Sequence, residues 1–301
     1  ELENIHNTKH KGNVAVDYDY DKTNCIAGAT EIMLDLMMYS VSSEQILAGL
    51  GTGTVQEKAE KLSSSLTAMN QMMYLYYQHK GLNDNAEAPV DKLPSQHLNI
   101  RYHRMFAGAF MYAGGNHIGI EWGSVSGLSS GQKLVEENGK YVSGQMFGWG
   151  IGHEIGHDIN QGTYAIAEIT NNYFAQLSTR GAEVNSTARF RYQSVYDYVT
   201  SGSVGRPSNG AVALAMYWQL HLAYDRGYNY KTYENYEEQL ANLFYARVDT
   251  YSRTPSKAPT GNGEIALALN GGTEQNFIRL ASAAAEKDLT DFFVHWGYIP
   301  D

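Results

Sequence analysis

Apolar residues at helical spacing dominate the first third of the chain after a polar start. The first group follows Asn24 and predicts a helix on the positions Ile26, Met33, Leu34, Met37 and Met38. A second helix is predicted from Ser42 or Ser43, either of which can cap it. A third is predicted from about Val55 to Lys80, and it should fill the core with Met69, Met72 and Met73.

The pattern changes between Leu98 and Glu136, where short apolar runs are broken by glycines. Such runs predict a small sheet. Helical spacing then returns and predicts helices near residues 145–160, 163–179, 188–199, 209–226, 231–251, 274–286 and 289–296. The whole pattern predicts an α+β fold, with a sheet-containing part first and a mainly helical part after it.

The first 22 residues are polar, and alternation at Val14, Val16, Tyr18 and Tyr20 predicts a short strand or extended arm. The acidic residues between them, Asp17, Asp19 and Asp21, also suggest a calcium loop. A calcium loop needs Gly at its sixth place and Glu at its twelfth, whereas this chain has Lys22 and Gly28 there. We therefore interpret the acidic positions as a solvated strand face.

Composition excludes several classes of protein. The 301 residues include 22 Lys and Arg against 32 Asp and Glu, with no basic stripe, so nucleic acid is not an expected partner. A single cysteine, Cys25, cannot form an intramolecular disulfide. No run of about 18 apolar residues predicts a membrane span, and no signal peptide begins at Glu1, so the chain is expected to be cut from a longer one.

The strongest chemical signal is the pentapeptide from His153 to His157, with Glu154 between the histidines. Histidines four apart on a helix leave the same face and can chelate one ion. A zinc ion with an open coordination position lowers the pKa of its bound water, and a neighbouring carboxylate can accept the proton as the water attacks a peptide carbonyl. This spacing predicts a zinc peptidase site in which Glu154 is the general base.

A third protein ligand is needed, and Glu168 is the expected one because a turn at Gln161-Gly162 would fold the next predicted helix back over the metal. Asp158 and Glu183 are the alternatives. Asp158 points about 100° around the helix from His157, which suits a supporting role better than ligation.

Four glycines in and beside the motif, Gly148, Gly150, Gly152 and Gly156, weigh against a chance match. Each costs about 1 kcal/mol of helix propensity, which a purely structural helix has little reason to carry. They predict close packing of other elements against the site.

These residues resemble the M60-like peptidases, also called the enhancin-like family, whose pattern is a His-Glu-x-x-His pair followed after a short interval by Glu. The resemblance is carried by residues 153–157, by Gln161, and by Glu168-Ile169-Thr170-Asn171-Asn172. It extends to Trp218-Gln219-Leu220 with Ala223-Tyr224, and to the closing segment from Asp288 to Gly297. It covers most of the chain from about Tyr102 onward.

The resemblance implies a gluzincin-type fold and a secreted or cell-surface bacterial endopeptidase with one catalytic Zn²⁺, acting on mucin-type O-glycosylated proteins. Such domains usually sit beside carbohydrate-binding modules, and none is visible in this chain. Residues 1–301 are then one M60-like catalytic domain, with N-terminal helices and a small sheet in 1–145 and metal-binding helices with a helical subdomain in 146–301. A zinc peptidase without a glycan requirement and a non-catalytic glycan-binding module remain the alternatives.

Substrate peptides of zinc peptidases commonly add to an exposed strand edge, and the stretch from Ala113 to Glu121 is the expected strand. The candidate substrate-binding residues are Gly114, Gly115, Asn116, His117, Trp122 and Trp149, although an ordinary glycine turn and core aromatic residues would also explain them. Oxyanion stabilisation is expected from one inward face of a predicted helix that carries Tyr217, His221 and Tyr224, with structural packing as the alternative.

Overall fold

The computed structural model describes residues 29–103, 105, 108–137, 140–180, 189–225, 232–261 and 265–300. The predicted strand and acidic positions before residue 22, Cys25 and Glu183 lie outside these residues. Within them, the predicted α+β fold is confirmed, with sheets before the motif helix and helices after it.

Five strands form the main sheet: β1 (Ala29–Met33), β2 (Met37–Ser42), β3 (Leu98–Tyr102), β4 (Met111–Ala113) and β5 (His117–Ile120). Their order is β1-β2-β3-β5-β4, with β2, β3 and β5 parallel to one another and the two outer strands antiparallel to their neighbours. A separate hairpin pairs β6 (Gln132–Glu137) with β7 (Lys140–Gln145). In the main sheet β4 is therefore an edge strand.

The helix predicted across Met33 to Met38 is wrong, because β1 ends at Met33 and β2 begins at Met37. The two strands form an antiparallel pair in which Ile32 lies opposite Tyr39. Along β2 the buried side chains Met37, Tyr39 and Val41 are two residues apart, which is the strand period. The four-residue spacing of the methionines is thus a result of the short β1–β2 turn.

Ten α-helices lie in the described residues. Two precede the motif, α1 (Ser43–Gly49) and α2 (Val55–His79), as predicted, and the Ser42 hydroxyl caps α1 by accepting from the Gln45 N–H. The motif lies on α3 (Trp149–Ile159). The others are α4 (Thr170–Arg180), α5 (Tyr192–Val199), α6 (Gly210–Tyr224), α7 (Tyr236–Asn242), α8 (Phe244–Arg253), α9 (Thr273–Ala285) and α10 (Thr290–His295).

Two predicted helices have different bounds in the structure. The one expected over residues 163–179 begins only at Thr170, after a series of turns. The one expected over residues 231–251 is divided at Leu243, whose extended backbone separates α7 from α8. Helical periodicity continues across both interruptions, so it cannot locate them.

One large apolar core joins the inner face of the main sheet to α2, α3, α4, α6 and α8. Met69, Met72 and Met73 are fully buried in it, as predicted. No helix of the described chain is both long and apolar enough to cross a membrane. The division of the chain near residue 145 stays a prediction.

Candidate metal centre

The motif helix α3 lies unusually close to its neighbours, and two of its glycines permit this. A Cβ atom on Gly156 would lie 2.3 Å from the carbonyl oxygen of Asn171 on α4. A Cβ atom on Gly152 would lie 2.5 Å from the hydroxyl oxygen of Tyr76 on α2. The close packing predicted from the glycines is therefore present at these two positions.

The side chains of His153, His157 and Glu168 converge on one point. The Nε2 atoms of the two histidines are 3.2 Å apart. Glu168 places Oε1 at 3.1 Å from Nε2 of His157 and Oε2 at 3.4 Å from Nε2 of His153. Tetrahedral zinc with bonds of about 2.0–2.2 Å separates its ligand atoms by about 3.3 Å. Two imidazole nitrogens and a carboxylate at this spacing fit a divalent metal ion.

Glu168 reaches this position from a turn and not from a helix, contrary to the sequence prediction. Its φ is +64°, an uncommon conformation for a residue with a side chain. The expected turn at Gln161 is present, with the Ala165 N–H donating to the Gln161 carbonyl at 2.9 Å. The Glu168 side chain is 69% exposed, so this side of the centre is open to solvent.

Two asparagines that have no predicted role support the centre. The side-chain oxygen of Asn172 lies 2.6 Å from Nδ1 of His153. The side-chain nitrogen of Asn171 lies 3.3 Å from the His153 backbone oxygen and donates to it. A hydrogen bond on the outer ring nitrogen fixes the tautomer and orientation of a metal-binding histidine. The available signal was the position of Asn172, four residues after Glu168 in the sequence.

Glu154 lies half-buried beside the donor atoms and contacts the edge of the sheet. Its carboxylate accepts a hydrogen bond from the backbone N–H of Ala113 on β4. Burial raises the pKa of this carboxyl and the charge of Glu168 raises it further, while His153 and the Ala113 N–H oppose the rise. A raised pKa suits a carboxylate that must accept a proton and then release it.

Burial is the main effect that favours neutral imidazole at His157. Burial lowers the pKa of His157 and the adjacent His153 lowers it further, against the opposing effect of Glu168. Neutral imidazole is the form that binds a metal. Asp158 points away, with a buried Oδ2 that has no hydrogen-bond partner in the described structure, and burial with the charge of Glu154 raises its pKa to about 6.

The predicted substrate strand is a hairpin of β4 and β5 in the structure. Its turn contains Gly115 and Asn116, both with positive φ, so Gly115 has a turn role. Gly114 precedes the turn, and His117 begins β5 with Nε2 at 2.8 Å from the Arg101 guanidinium. Substrate contacts at these four positions stay a prediction.

Aromatic residues near the site have partners of their own. Trp122 makes an edge contact with Tyr102, their rings 5.4 Å apart. Trp149, at the start of α3, carries the guanidinium of Arg189 over its ring at 4.4 Å. Sugar stacking on either tryptophan stays a prediction.

The expected oxyanion residues lie deep in the protein. Tyr217 and His221 are 1% and 2% exposed. The ring of Tyr217 packs on Phe277, and Nδ1 of His221 lies 2.6 Å from Asp225. Tyr224 stacks on Phe244. The structure therefore packs these side chains into the helical part, and an oxyanion role for any of them stays a prediction.

His153, Glu154 and His157 form a group on one helix, beside an edge strand, that could hold a metal ion, and this is the arrangement expected of a metallopeptidase. The chain matches the family model of peptidase M60, enhancin and enhancin-like proteins over residues 17–297, and it belongs to that family. No curated protein matches the chain.

Solved structures share the fold at low sequence identity. The M60 catalytic domain of ZmpC from Clostridium perfringens, in complex with the sialyl T antigen, matches all of this chain and 50% of its own, with 18% identity and a TM-score of 0.63. A conserved protein of unknown function from Bacillus anthracis matches 91% of this chain and 49% of its own, with 20% identity and a TM-score of 0.63. A metallopeptidase in complex with the Tn antigen matches 90% of this chain and 45% of its own, with 18% identity and a TM-score of 0.57. The chain thus spans about half the length of each of these three structures.

Proposed function

We propose that this chain is the catalytic domain of a secreted zinc endopeptidase that cleaves mucin-type O-glycosylated proteins. The observation that carries the proposal is the convergence of His153, His157 and Glu168 at ligand spacing, with the Glu154 carboxylate beside them. Residues 1–301 act as one domain in this proposal.

The division of work among the side chains follows from their positions. Zinc at this centre would supply Lewis acidity that makes a water more acidic and polarises the substrate carbonyl. His153, His157 and Glu168 hold the ion. Glu154 accepts the proton of the attacking water on its carboxylate and delivers it to the nitrogen that leaves when the peptide bond breaks.

The edge strand β4 supplies a way to position the peptide. It has one unpaired edge in the main sheet and packs against α3, so a substrate strand added there would run past Glu154. Main-chain hydrogen bonds to β4 would hold the scissile carbonyl over the metal centre, independently of the side chains of the substrate.

Glycoprotein specificity is supported by the family and by two structural neighbours. ZmpC of C. perfringens and another metallopeptidase were solved with the sialyl T antigen and the Tn antigen. ZmpB of C. perfringens carries CBM32 domains next to its M60 domain. We extend both properties to this chain, so that the full-length protein joins the catalytic domain to carbohydrate-binding modules at or outside the cell surface.

The catalytic assignment is tested with Glu154→Gln, which keeps the size of the side chain and removes the base. The variant should retain its metal and lose activity by about 10²- to 10⁴-fold. Glu60→Gln removes an exposed carboxylate on α2 and should leave activity unchanged. Zinc content and cleavage of an O-glycopeptide are measured on the same samples, and undiminished cleavage by Glu154→Gln would refute the mechanism.

The substrate assignment is tested with one peptide sequence in two forms, with and without its O-glycan. Mass spectrometry of the products should show cleavage of the glycosylated form only. Equal cleavage of both forms identifies a zinc peptidase without a glycan requirement. If the wild-type chain binds the glycopeptide and produces no peptide fragments, it is a non-catalytic glycan-binding module.

A further inference from the structure

A second group of metal-binding side chains lies outside the candidate metal centre. His79 ends α2, His221 lies on α6, and Asp225 caps the end of α6 four residues later. Their donor atoms lie within 4.8 Å of one another. We name these three residues the buried His-His-Asp cluster.

The donor atoms of this cluster face a common point together with a phenol oxygen. The hydroxyl oxygen of Tyr173 lies 2.9 Å from Nδ1 of His79 and 3.2 Å from Nδ1 of His221. The carboxylate Oδ2 of Asp225 lies 2.6 Å from Nδ1 of His221 and 4.0 Å from Nδ1 of His79. These four distances range from 2.6 to 4.0 Å. The distance expected between two ligand atoms of a tetrahedral ion, about 3.3 Å, lies within that range.

The chemistry of the group is unusual for an ordinary core. The side chains of both histidines and of Asp225 are no more than 4% exposed, and Tyr173 is buried with them. Burial lowers the pKa of His79 to about 4, so this ring is neutral at pH 7. A buried carboxylate needs a compensating positive charge, and a metal ion held by the cluster would supply one.

The positions of the proposed ligands on their helices favour a metal ion. A histidine and an aspartate four residues apart at the end of one helix can chelate a single ion, and the third ligand comes from a different helix. The other oxygen of Asp225 accepts the Phe244 N–H at 2.6 Å, which orients the carboxylate towards the cluster.

We propose that the buried His-His-Asp cluster, with the Tyr173 hydroxyl as a fourth ligand, is a structural site for a divalent transition-metal ion such as Zn²⁺. Two imidazoles and two oxygens suit zinc better than calcium or magnesium. The ion joins α2, α4 and α6 and, through Asp225, the start of α8. His221 then has a structural role and not one in oxyanion stabilisation.

The site also has a direct connection to the candidate metal centre. Tyr173 follows Asn171 and Asn172 on α4, the two residues that support His153. A metal ion on Tyr173 would fix the first turns of α4, so the second ion would help to hold the supporting asparagines in place.

The test counts zinc in the intact chain, purified from cells grown with zinc and dialysed to remove loosely bound ions. We expect two zinc ions per chain in the wild type and one in His153→Ala/His157→Ala. Anomalous diffraction at the zinc edge should show the retained ion between His79, His221 and Asp225. One zinc in the wild type with an anomalous peak only at His153 would overturn the proposal, and this measurement needs no variant.

Variants then identify the ligands. In the His153→Ala/His157→Ala background, Asp225→Asn should reduce the zinc count from one to none. Asp249→Asn changes another buried aspartate, paired with Lys80 at 2.8 Å, and should leave the count at one. Retention of zinc by a folded Asp225→Asn variant contradicts the proposal. If that variant does not fold, the wild-type count and the anomalous peak decide.

Discussion

Asn172 accepts a hydrogen bond from His153, with 2.6 Å between the amide oxygen and Nδ1 of the imidazole. The amide nitrogen of the same side chain donates to the backbone oxygen of Glu168, also at 2.6 Å. One amide therefore orients a histidine of the motif helix and the turn that carries the third proposed ligand. It fixes the separation between them before any ion binds.

Asn172→Ala is expected to weaken zinc binding by about 10- to 100-fold, because neither the His153 ring nor the Glu168 turn is then held. Asn172→Asp keeps the acceptor for His153 and loses only the donor to Glu168, so it should lie between the alanine variant and the wild type. Competition with a chromogenic chelator gives the three affinities. Equal affinities would show that the centre is positioned by other contacts.

Gly156→Ala is expected to destabilise the chain by about 1–3 kcal/mol, because its methyl group would meet the Asn171 carbonyl oxygen on α4. Gly150→Ala is the matched control on the same helix, since its Cβ meets only the movable ends of Met111 and Phe110, at 3.2 Å. Gly150→Ala should be close to neutral or slightly stabilising. Urea unfolding of both variants measures the difference, and equal stabilities would contradict close packing as the reason for Gly156.

Glu168→Gly is expected to stabilise the metal-free chain by about 1 kcal/mol, because glycine adopts the positive φ of this turn without strain. The same change should abolish metal binding at the centre. Glu168→Gln is the control, since it removes the charge and keeps the strain. Unfolding in the presence of a chelator compares the two, and a Glu168→Gly variant no more stable than Glu168→Gln would show that the turn is unstrained.

The site was predictable from sequence to the extent that it depends on local spacing. His153, Glu154 and His157 lie within one helical turn and a half, so their mutual geometry follows from the helix itself. Glu168 lies within 3.4 Å of both histidines, as the predicted turn requires, but its own backbone conformation could not be predicted because a single positive φ leaves no periodic signal. Asn172 was missed because its partners are Glu168 and a histidine 19 residues earlier.

The fold shows the same division between local and distant effects. The Ser42 cap and the methionines of α2 followed from positions along one element. The β1–β2 hairpin did not, because Met33 and Met37 are four residues apart on two strands and imitate a helix face. Tyr217 and His221 share a helix as predicted, but only tertiary packing shows that His221 faces His79.

Asp91 provides a test of stability far from the motif in sequence. Its carboxylate is fully buried and accepts from Arg253 Nη2 at 2.9 Å and from Lys257 Nζ at 2.7 Å, so it joins the turn after α2 to the end of α8. Burial alone would raise the pKa of Asp91, but the hydrogen bonds and charges of Lys257 and Arg253 outweigh it and lower the pKa below its usual value.

A carboxyl whose pKa is lower in the folded chain binds its proton more readily when the chain is unfolded. The ionised Asp91 carboxylate therefore stabilises the fold fully above the unfolded pKa of about 4, and this stabilisation is lost as the pH falls further.

Asp91→Asn should cost about 3 kcal/mol of stability at pH 7, since two cations lose their buried partner. The deficit relative to the wild type should narrow as the pH falls below about 4. Asp197→Asn, on the exposed surface of α5, should match the wild type throughout. Urea unfolding at a series of pH values measures all three chains, and a deficit for Asp91→Asn that is independent of pH would show that the ionised carboxylate contributes no stability.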